Sequence, residues 1–218
     1  MLEHLRPAVS LVALSTVVLG LACPLAFVAA GHVAPNRAEG SLVMRDGHAV
    51  GSALIGQNFA SPRYIHGRPS AITGTDAKGA TIPAPYDAST SLASNLAPTS
   101  KALHDRIATD LAALGKRGLG AGETAGGAVP VDAITASGSG LDADISPDYA
   151  LMQARPVASA RGIAEASVRD IIATETQPRT FGLFGEPHVN VLRVNLALDR
   201  LPPGAHRGTP GQVAGVVR

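Results

Sequence analysis

The chain has 218 residues and a formal net charge of +1, because 18 lysines and arginines face 17 aspartates and glutamates. Its charges are scattered and form no basic stripe, so we do not expect nucleic acid as a partner. Aromatic residues make up 3% of the chain and tryptophan is absent, whereas there are 24 glycines and 16 prolines. We therefore expect a core of small aliphatic side chains and a large share of loops.

The first strong feature is an apolar stretch from Pro7 to Gly31 that contains no charged side chain. Its apolar part, residues 8–30, would form a helix of about 34 Å at ~1.5 Å per residue. That length slightly exceeds the ~30 Å hydrocarbon core of a bilayer. The stretch predicts a transmembrane helix over 8–30, preceded by a tail (1–7) and followed by a connector (31–40).

Two other interpretations of this stretch stay open. Small residues at 28–30 offer a signal-peptidase site, and Cys23, the one cysteine of the chain, offers a weak lipoprotein site. The length favours a retained helix, because cleavable apolar regions are usually shorter. Positive charges before and after the stretch nearly balance and do not fix its orientation. The short N-terminal tail is typical of a signal anchor, which predicts a cytoplasmic N-terminus and an extracytoplasmic domain over 41–200.

The rest of the chain predicts a small mixed α/β domain. Two apolar runs around Asp46-Gly47 indicate a β-hairpin over 41–55. Residues 73–98 are rich in glycine, proline and polar side chains and indicate a long loop. Helices are predicted from Thr99 or Ser100 to 115, over 146–161 and over 164–176, and strands over 129–135 and 189–198. Residues 118–127 read as a flexible linker, and residues 201–218 show no pattern and are predicted to be a disordered tail.

No motif in the sequence predicts an active site. The acidic cluster of Asp142, Asp144 and Asp148 begins like a calcium loop, but proline and glutamine occupy the positions where glycine and glutamate are needed. We interpret it as helix capping. Residues 137–140 (Ser-Gly-Ser-Gly) lack the spacing of a nucleophile elbow and predict a turn. The seven histidines are dispersed, so no metal ligands and no catalytic residues are assigned.

Several polar residues lie in segments without periodicity and are candidates for contact with a partner. They are Gln57, Asn58, His66, Arg68, Ser94, Asn95, Ser137 and Ser139. From these residues alone, the chain is a membrane-anchored α/β domain without chemistry of its own that serves a partner in the membrane. An extracytoplasmic hydrolase with a triad assembled from distant residues stays open.

Several short motifs together resemble one family, from about residue 5 to residue 200. In order along the chain they are Gly51–Phe59, Tyr64–Ala71, Ser94–Leu96, Val129–Asp132, Thr135–Asp142, Ile145–Pro147, Gly185–Pro187, Val189-Asn190 and Asn195–Asp199. No single motif is diagnostic, but their order and spacing resemble the KdpC family, a subunit family of the Kdp potassium-transporting ATPase. Relative to that family, residues 72–85 lengthen a loop.

The resemblance implies a single-pass subunit of the bacterial plasma (inner) membrane with an extracytoplasmic domain. Its implied partners are a channel-like potassium-translocating subunit, a P-type ATPase subunit and a very small single-helix subunit. The partner subunits handle ATP and potassium, and no cofactor is assigned to this chain. The family is described as a catalytic chaperone that raises the affinity of the ATPase subunit for ATP.

The predicted orientation restricts how such an effect could arise. With the folded domain outside and the nucleotide inside, direct contact is impossible, and the effect would be a coupling free energy carried through the membrane subunits. We therefore expect the domain to dock at the outer mouth of the potassium-translocating subunit. The alternative function is an exported solute- or partner-binding domain released after cleavage behind Ala30.

Overall fold

A computed structural model describes residues 4–119 and 128–201. The chain divides into two compact units, one ending at Ser52 and the other beginning at Ala53. The predicted disordered tail beyond residue 201 and residues 120–127 of the predicted linker lie outside the described residues. The prediction of a mixed α/β chain with one long apolar N-terminal helix is confirmed.

The first unit is dominated by a helix of 29 residues, Leu5–Val33, which is long and apolar enough to cross a membrane. It consists of α1 (Leu5–Val17), a π-helical turn (Val18–Ala22) and α2 (Cys23–Val33). None of its residues is buried within the protein. A helix that is apolar on all sides is suited to lipid rather than to one face of a soluble core.

The π-helical turn has a local cause in the sequence. Pro24 lies two residues beyond its end and lacks the amide that would donate to the carbonyl of Gly20. Widening the preceding turn accommodates the proline ring without ending the helix. The predicted connector is partly helical, since α3 covers Pro35–Ala38.

The hairpin predicted around Asp46-Gly47 is confirmed. Strands β1 (Leu42–Arg45) and β2 (His48–Ser52) pair antiparallel, with Arg45 opposite His48. Asp46 and Gly47 have φ angles of 51° and 80°. Two successive positive φ angles are what a type I′ turn requires, and Asp-Gly adopts them readily.

The second unit contains a three-stranded antiparallel sheet in the order β5-β7-β6, formed by Asp144–Ile145, His188–Asn190 and Thr176–Gln177. A separate hairpin joins β3 (Thr73–Thr75) to β4 (Thr81–Pro83). The prediction of a loop without strands over 73–98 is therefore wrong at its start. The turn that closes this hairpin forms because Oδ1 of Asp76 accepts the amides of Lys78 and Ala80 at 2.8 Å.

The helices of the second unit are α4 (Lys101–Lys116), α5 (Pro147–Met152), α6 (Ala154–Arg161), α7 (Glu165–Glu175) and α8 (Val191–Asp199). The predictions of α4 and α7 are confirmed, although the Ser100 hydroxyl makes no capping bond. The single helix predicted over 146–161 is instead two, which meet at Gln153. Pro156 explains the break, because it cannot donate to the carbonyl of Met152.

The strand predicted over 189–198 is wrong. Only its first residues belong to β7, and the Asn190 side chain then caps α8 by accepting the amide of Arg193 at 3.2 Å. Val191, Val194 and Leu198 recur at helical spacing and are buried. The strand predicted over 129–135 is also wrong, since Val131–Ala133 forms a 3₁₀ turn after Pro130.

The core of the second unit lies between the small sheet and α5 to α8. Its fully buried members include Ile65, Met152, Val168, Ile172, Val189, Val194 and Leu198. As composition predicts, it is aliphatic, with Tyr149 as its one buried aromatic side chain among the described residues. Ile65 comes from an irregular segment that the surrounding elements hold in place.

Candidate functional site

Four of the eight predicted contact residues line one cleft of about 240 Å³ in the second unit. They are Gln57, Asn58, His66 and Arg68. The remaining wall is contributed mainly by the end of α4, by Tyr86 and by the buried Tyr149. The predicted interaction residues of segments 56–59 and 64–70 therefore converge in space.

Asn195 fixes the segment that carries His66. Its Oδ1 accepts the amide of Ile65 at 2.8 Å, and its Nδ2 donates to the carbonyl of Ile65 at 2.8 Å. Both residues are buried. The side-chain amide thus replaces a neighbouring strand for a backbone that has none.

Gln153 repeats this arrangement on the next residue. Its Oε1 accepts the amide of His66 at 2.9 Å, and its Nε2 donates to the carbonyl of His66 at 3.1 Å. Arg117 also donates to this Oε1, at 3.3 Å. Gln153 is fully buried at the break between α5 and α6, so the helix break serves to position the cleft.

Arg161 holds the beginning of the same segment. Its guanidinium donates to the carbonyl of Leu198 at 3.0 Å and to Oδ1 of Asp199 at 2.9 Å. Its Cζ lies 5.0 Å from the ring centroid of Tyr64, whose hydroxyl donates to Oδ2 of Asp199 at 3.2 Å. An arginine whose side chain is 6% exposed needs several partners of this kind to offset desolvation.

Tyr86 covers two glycines at the edge of the cleft. Its hydroxyl donates to the carbonyl of Arg68 at 2.8 Å. A Cβ on Gly56 would lie 2.5 Å from the Tyr86 ring, and a Cβ on Gly67 would lie 2.3 Å from the Tyr86 hydroxyl oxygen. Burial is the main cause that raises the pKa of the Tyr86 phenol, and the nearby Asp142 carboxylate adds to it. The phenol is therefore neutral and available as a donor.

Arg68 joins the cleft to the neighbouring loop. It forms an ion pair with Asp142 at 2.8 Å and donates to the carbonyl of Thr135 at 3.3 Å. Both side chains of the pair are about a quarter to a third exposed (25% and 31%), so the pair positions the loop more than it stabilises the fold.

His66 is the one histidine in the lining of the cleft, and its surroundings strongly perturb its titration. Its Nε2 is buried and has no hydrogen-bond partner among the described residues. Burial, reinforced by the Arg117 charge, lowers the pKa of His66 from 6.5 to about 4, while a hydrogen bond with the backbone of Ser61 opposes the shift. At neutral pH the ring is therefore uncharged.

The cleft does not combine its polar groups into catalytic machinery. The one serine in its lining, Ser70, donates to the carbonyl of Gly140 at 2.9 Å rather than to the imidazole of His66. Burial raises the pKa of Asp110, opposed by its partner Arg106. Paired charges, amides and a neutral imidazole are suited to recognition of polar groups rather than to nucleophilic attack.

Ser137 and Ser139 form a turn, as the sequence predicts. The hydroxyl of Ser137 accepts the amide of Gly140 at 2.8 Å, and that of Ser139 accepts the amide of Leu141 at 3.1 Å. The carbonyl of Ser139 accepts the amide of Leu92 at 2.9 Å. The segment with Ser94 and Asn95 therefore begins beside this turn, and these four candidates lie outside the lining of the cleft.

The acidic cluster is engaged in structural contacts. Oδ1 of Asp144 accepts from Nδ2 of Asn190 at 2.9 Å. The hydroxyl of Ser146 accepts the amide of Tyr149 at 3.1 Å, which caps α5. Within residues 4–119 and 128–201, no three His, Cys, Asp or Glu side chains are arranged to hold a metal ion.

The residues that position the cleft were not among the sequence candidates. Asn195 lies in the predicted strand 189–198, at a position expected to point away from the core. Gln153 lies inside the predicted helix 146–161. The available signal was a lone amide between apolar residues, Met152 and Ala154 around Gln153, and Val194 and Leu196 around Asn195. A polar residue flanked in this way is buried only when it has partners.

Comparison with known proteins extends over nearly the whole chain. The family model described as "K+-transporting ATPase, c chain" matches residues 5–200. The potassium-transporting ATPase KdpC subunit of Methylorubrum populi is 52% identical over 92% of this chain and 98% of its own length. The KdpC subunit of Rhodopseudomonas palustris strain BisB18 is 50% identical over 91% of this chain and 98% of its own. The chain therefore belongs to the KdpC family of potassium-transporting ATPase subunits.

Proposed function

We propose that this chain is an accessory subunit of an ATP-driven potassium uptake complex and contributes no catalytic group to it. The observation that carries the proposal is the match over residues 5–200 to a family described as the c chain of a K+-transporting ATPase. The relatives match over 98% of their own length, so the similarity includes both the apolar helix and the folded domain. Paired charges in the cleft agree with a role in recognition.

The proposed location is the bacterial plasma (inner) membrane, with helix Leu5–Val33 in the bilayer, the N-terminus in the cytoplasm and the domain outside. The proposed partners are a channel-like potassium-translocating subunit, a P-type ATPase subunit and a small single-helix subunit. A helix of which no residue is buried supports a membrane anchor, because its many apolar side chains would gain by leaving water.

Within the complex, the domain docks at the outer mouth of the potassium-translocating subunit. The cleft residues Gln57, Asn58, His66 and Arg68 form one contact region, and the loops with Ser94, Asn95, Ser137 and Ser139 form another. Any effect on the affinity for ATP is a coupling free energy transmitted through the membrane subunits.

Deletion and complementation test the proposal. A strain that depends on this complex and lacks the chain should grow poorly at limiting potassium, and the full chain should restore growth. The chain without residues 5–33 should not restore it. A tagged full chain should co-purify in mild detergent with the ATPase subunit. Full restoration by the chain without its helix would contradict the anchored role and favour a released domain.

The orientation is tested by labelling with a membrane-impermeant maleimide. In a Cys23→Ser background, Lys101→Cys should be labelled in intact spheroplasts, because the Lys101 side chain is 87% exposed and lies outside both proposed contact regions. His4→Cys should be labelled only after lysis. The opposite pattern would overturn the orientation. The mass of the same chain separates a retained helix from cleavage behind Ala30.

A further inference from the structure

The loop that connects β6 to β7, residues 178–187, carries an apolar tip. Phe181, Leu183 and Phe184 are 89%, 75% and 67% exposed. Two of the four phenylalanines of the chain thus lie within four residues and contribute little to the core. Single exposed apolar residues are ordinary, whereas three together mark a surface that is covered in the functional state.

The loop holds its own shape. The amides of Thr180, Gly182, Leu183 and Phe184 all donate to carbonyls within the loop, at 2.8 to 3.1 Å. Thr180 and Phe184 form an antiparallel bridge. Below the tip, Arg179 forms an ion pair with Glu186, and Gln177 pairs with His188 at the base.

The backbone of the tip adopts positive φ angles, which are unfavourable for residues other than glycine. Phe181 has a φ of 54°, a region that bulky residues rarely adopt, and Gly182 and Gly185 follow at 72° and 78°. Such conformations persist where the surrounding structure enforces them. The bridge and the backbone hydrogen bonds provide that enforcement, so the backbone that carries the three side chains is constrained.

A protein pocket fits this tip better than a lipid surface does. Because four of its amides are already satisfied, the tip can leave water at little cost. A fixed backbone lowers the entropy lost on binding a pocket of defined shape, whereas fluid lipid requires no fixed shape. A lipid-binding loop usually adds cations for anionic headgroups, but the cation here, Arg179, is paired with Glu186.

We propose that the apolar tip (Phe181, Leu183, Phe184) inserts into an apolar pocket on the extracytoplasmic surface of the potassium-translocating subunit of the potassium-transporting ATPase, on which the proposed function docks the domain. This inference rests on the proposed function, since it requires that the chain be a subunit of that complex. The tip acts as the anchor of the interface, as aromatic and large aliphatic side chains do when a pocket desolvates them.

The first test compares assembly of tagged full-length chains. The triple substitution Phe181→Ser, Leu183→Ser and Phe184→Ser should reduce recovery of the ATPase subunits about tenfold or more, as expected when several anchor residues are removed. The control is Val131→Ser, since Val131 is 74% exposed on another turn and should leave recovery unchanged. Circular dichroism unfolding should match wild type for both variants.

The second test reports directly on the environment of the tip. In a Cys23→Ser background, Phe184→Cys is labelled with bimane, and the labelled chain is added to complex purified from cells that lack the chain. A blue shift of bimane emission should follow. The same labelled chain is also placed in vesicles of phosphatidylethanolamine and phosphatidylglycerol, and is concentrated alone in detergent.

The results of the two tests distinguish the possible occupants of the tip. A shift only with the partner subunits supports the proposal. A shift in vesicles would overturn it in favour of a lipid contact, and a shift on concentration alone would overturn it in favour of a second copy. If the wild-type chain co-purifies but the triple variant does so equally well, the tip is not an anchor although the proposed function stands. If the wild-type chain does not co-purify, the proposed function fails and this inference with it.

Discussion

Segment 64–70 and loop 178–187 both lack helix and regular strand, yet they are held in opposite ways. The first is held by buried side chains of distant elements, Asn195 and Gln153, which bond its backbone from within the core. The second is held by its own amides and by one exposed ion pair, and it directs its apolar side chains outward.

This difference separates residues that determine folding from residues that are available for contact. Removing a buried side-chain amide leaves polar backbone groups in the interior without hydrogen-bond partners, which lowers the free energy of unfolding. Removing an exposed apolar side chain costs the isolated protein almost nothing. Large effects on stability are therefore expected from the first region, and effects on assembly alone from the second.

The largest effect is expected from Asn195→Ala. The change leaves both the amide and the carbonyl of Ile65 without their partner in the core, and the free energy of unfolding should fall by about 3 kcal/mol. Urea unfolding of the full chain in detergent, followed by circular dichroism, measures it. Asn58→Ala, at an exposed amide, should change it by less than about 0.5 kcal/mol. A loss below about 1 kcal/mol at Asn195 would show that this clamp does not stabilise the fold.

A somewhat smaller effect is expected from Gly67→Ala. The new Cβ would lie 2.3 Å from the Tyr86 hydroxyl oxygen, and relieving that overlap should cost about 2 kcal/mol. Tyr86→Phe removes the obstructing oxygen, so the double variant should be less destabilised than the sum of the two single variants. Strict additivity would contradict the contact. The control is Gly115→Ala in α4, where space is open and alanine should stabilise by about 0.5–1 kcal/mol.

The pH dependence of His66 gives a third, intermediate effect. Because its pKa is lowered to about 4 in the folded state, the folded protein binds fewer protons than the unfolded chain between pH 6.5 and pH 4. Its contribution to stability is complete above pH 6.5 and is lost as the pH falls to about 4.

The comparison with His66→Gln isolates this contribution. Wild type should lose about 2 kcal/mol more than the variant over that interval, an estimate reduced for the partial exposure of the ring. The other groups that line the cleft are present in both proteins, so their contributions cancel in the difference. Parallel pH profiles of the two proteins would show that the ring is not held neutral.

The smallest effect is expected from Leu183→Ser in the apolar tip. The side chain is 75% exposed, so the free energy of unfolding should change by less than about 0.5 kcal/mol. The same urea unfolding experiment measures it. A fall in the free energy of unfolding of more than about 1 kcal/mol would show that the tip packs within the domain. The tip would then stabilise the fold as segment 64–70 does.

Local signals predicted a substantial part of the fold. The long apolar helix, the Asp46-Gly47 hairpin, α4 and α7 all depend on residues within a few positions of one another. The strand predicted over 189–198 failed because Val194 and Leu198 belong both to an alternating pattern that begins at Leu192 and to a helical one that begins at Val191. The cap formed by Asn190 decides in favour of a helix, and short apolar runs carry this ambiguity in general.

The cleft could be predicted only in part. The sequence proposed Gln57, Asn58, His66 and Arg68 as contact candidates from the polar character of two irregular segments, without predicting a cleft, and the structure brings the four residues into one. It did not identify the residues that hold them, because the bond from Ile65 to Asn195 joins residues 130 positions apart. Hydrogen bonds between residues so far apart produce no periodic pattern in the sequence, so they are seen only in the structure.

The most direct measurement is potassium-stimulated ATP hydrolysis by complex purified through a tag on the ATPase subunit, with and without this chain. We expect that the chain co-purifies, that hydrolysis resides in the partner subunits, and that removal of the chain lowers potassium-stimulated hydrolysis until the full-length chain is added back. Undiminished hydrolysis and potassium uptake by a complex that never contained the chain would show that it is not a functional subunit.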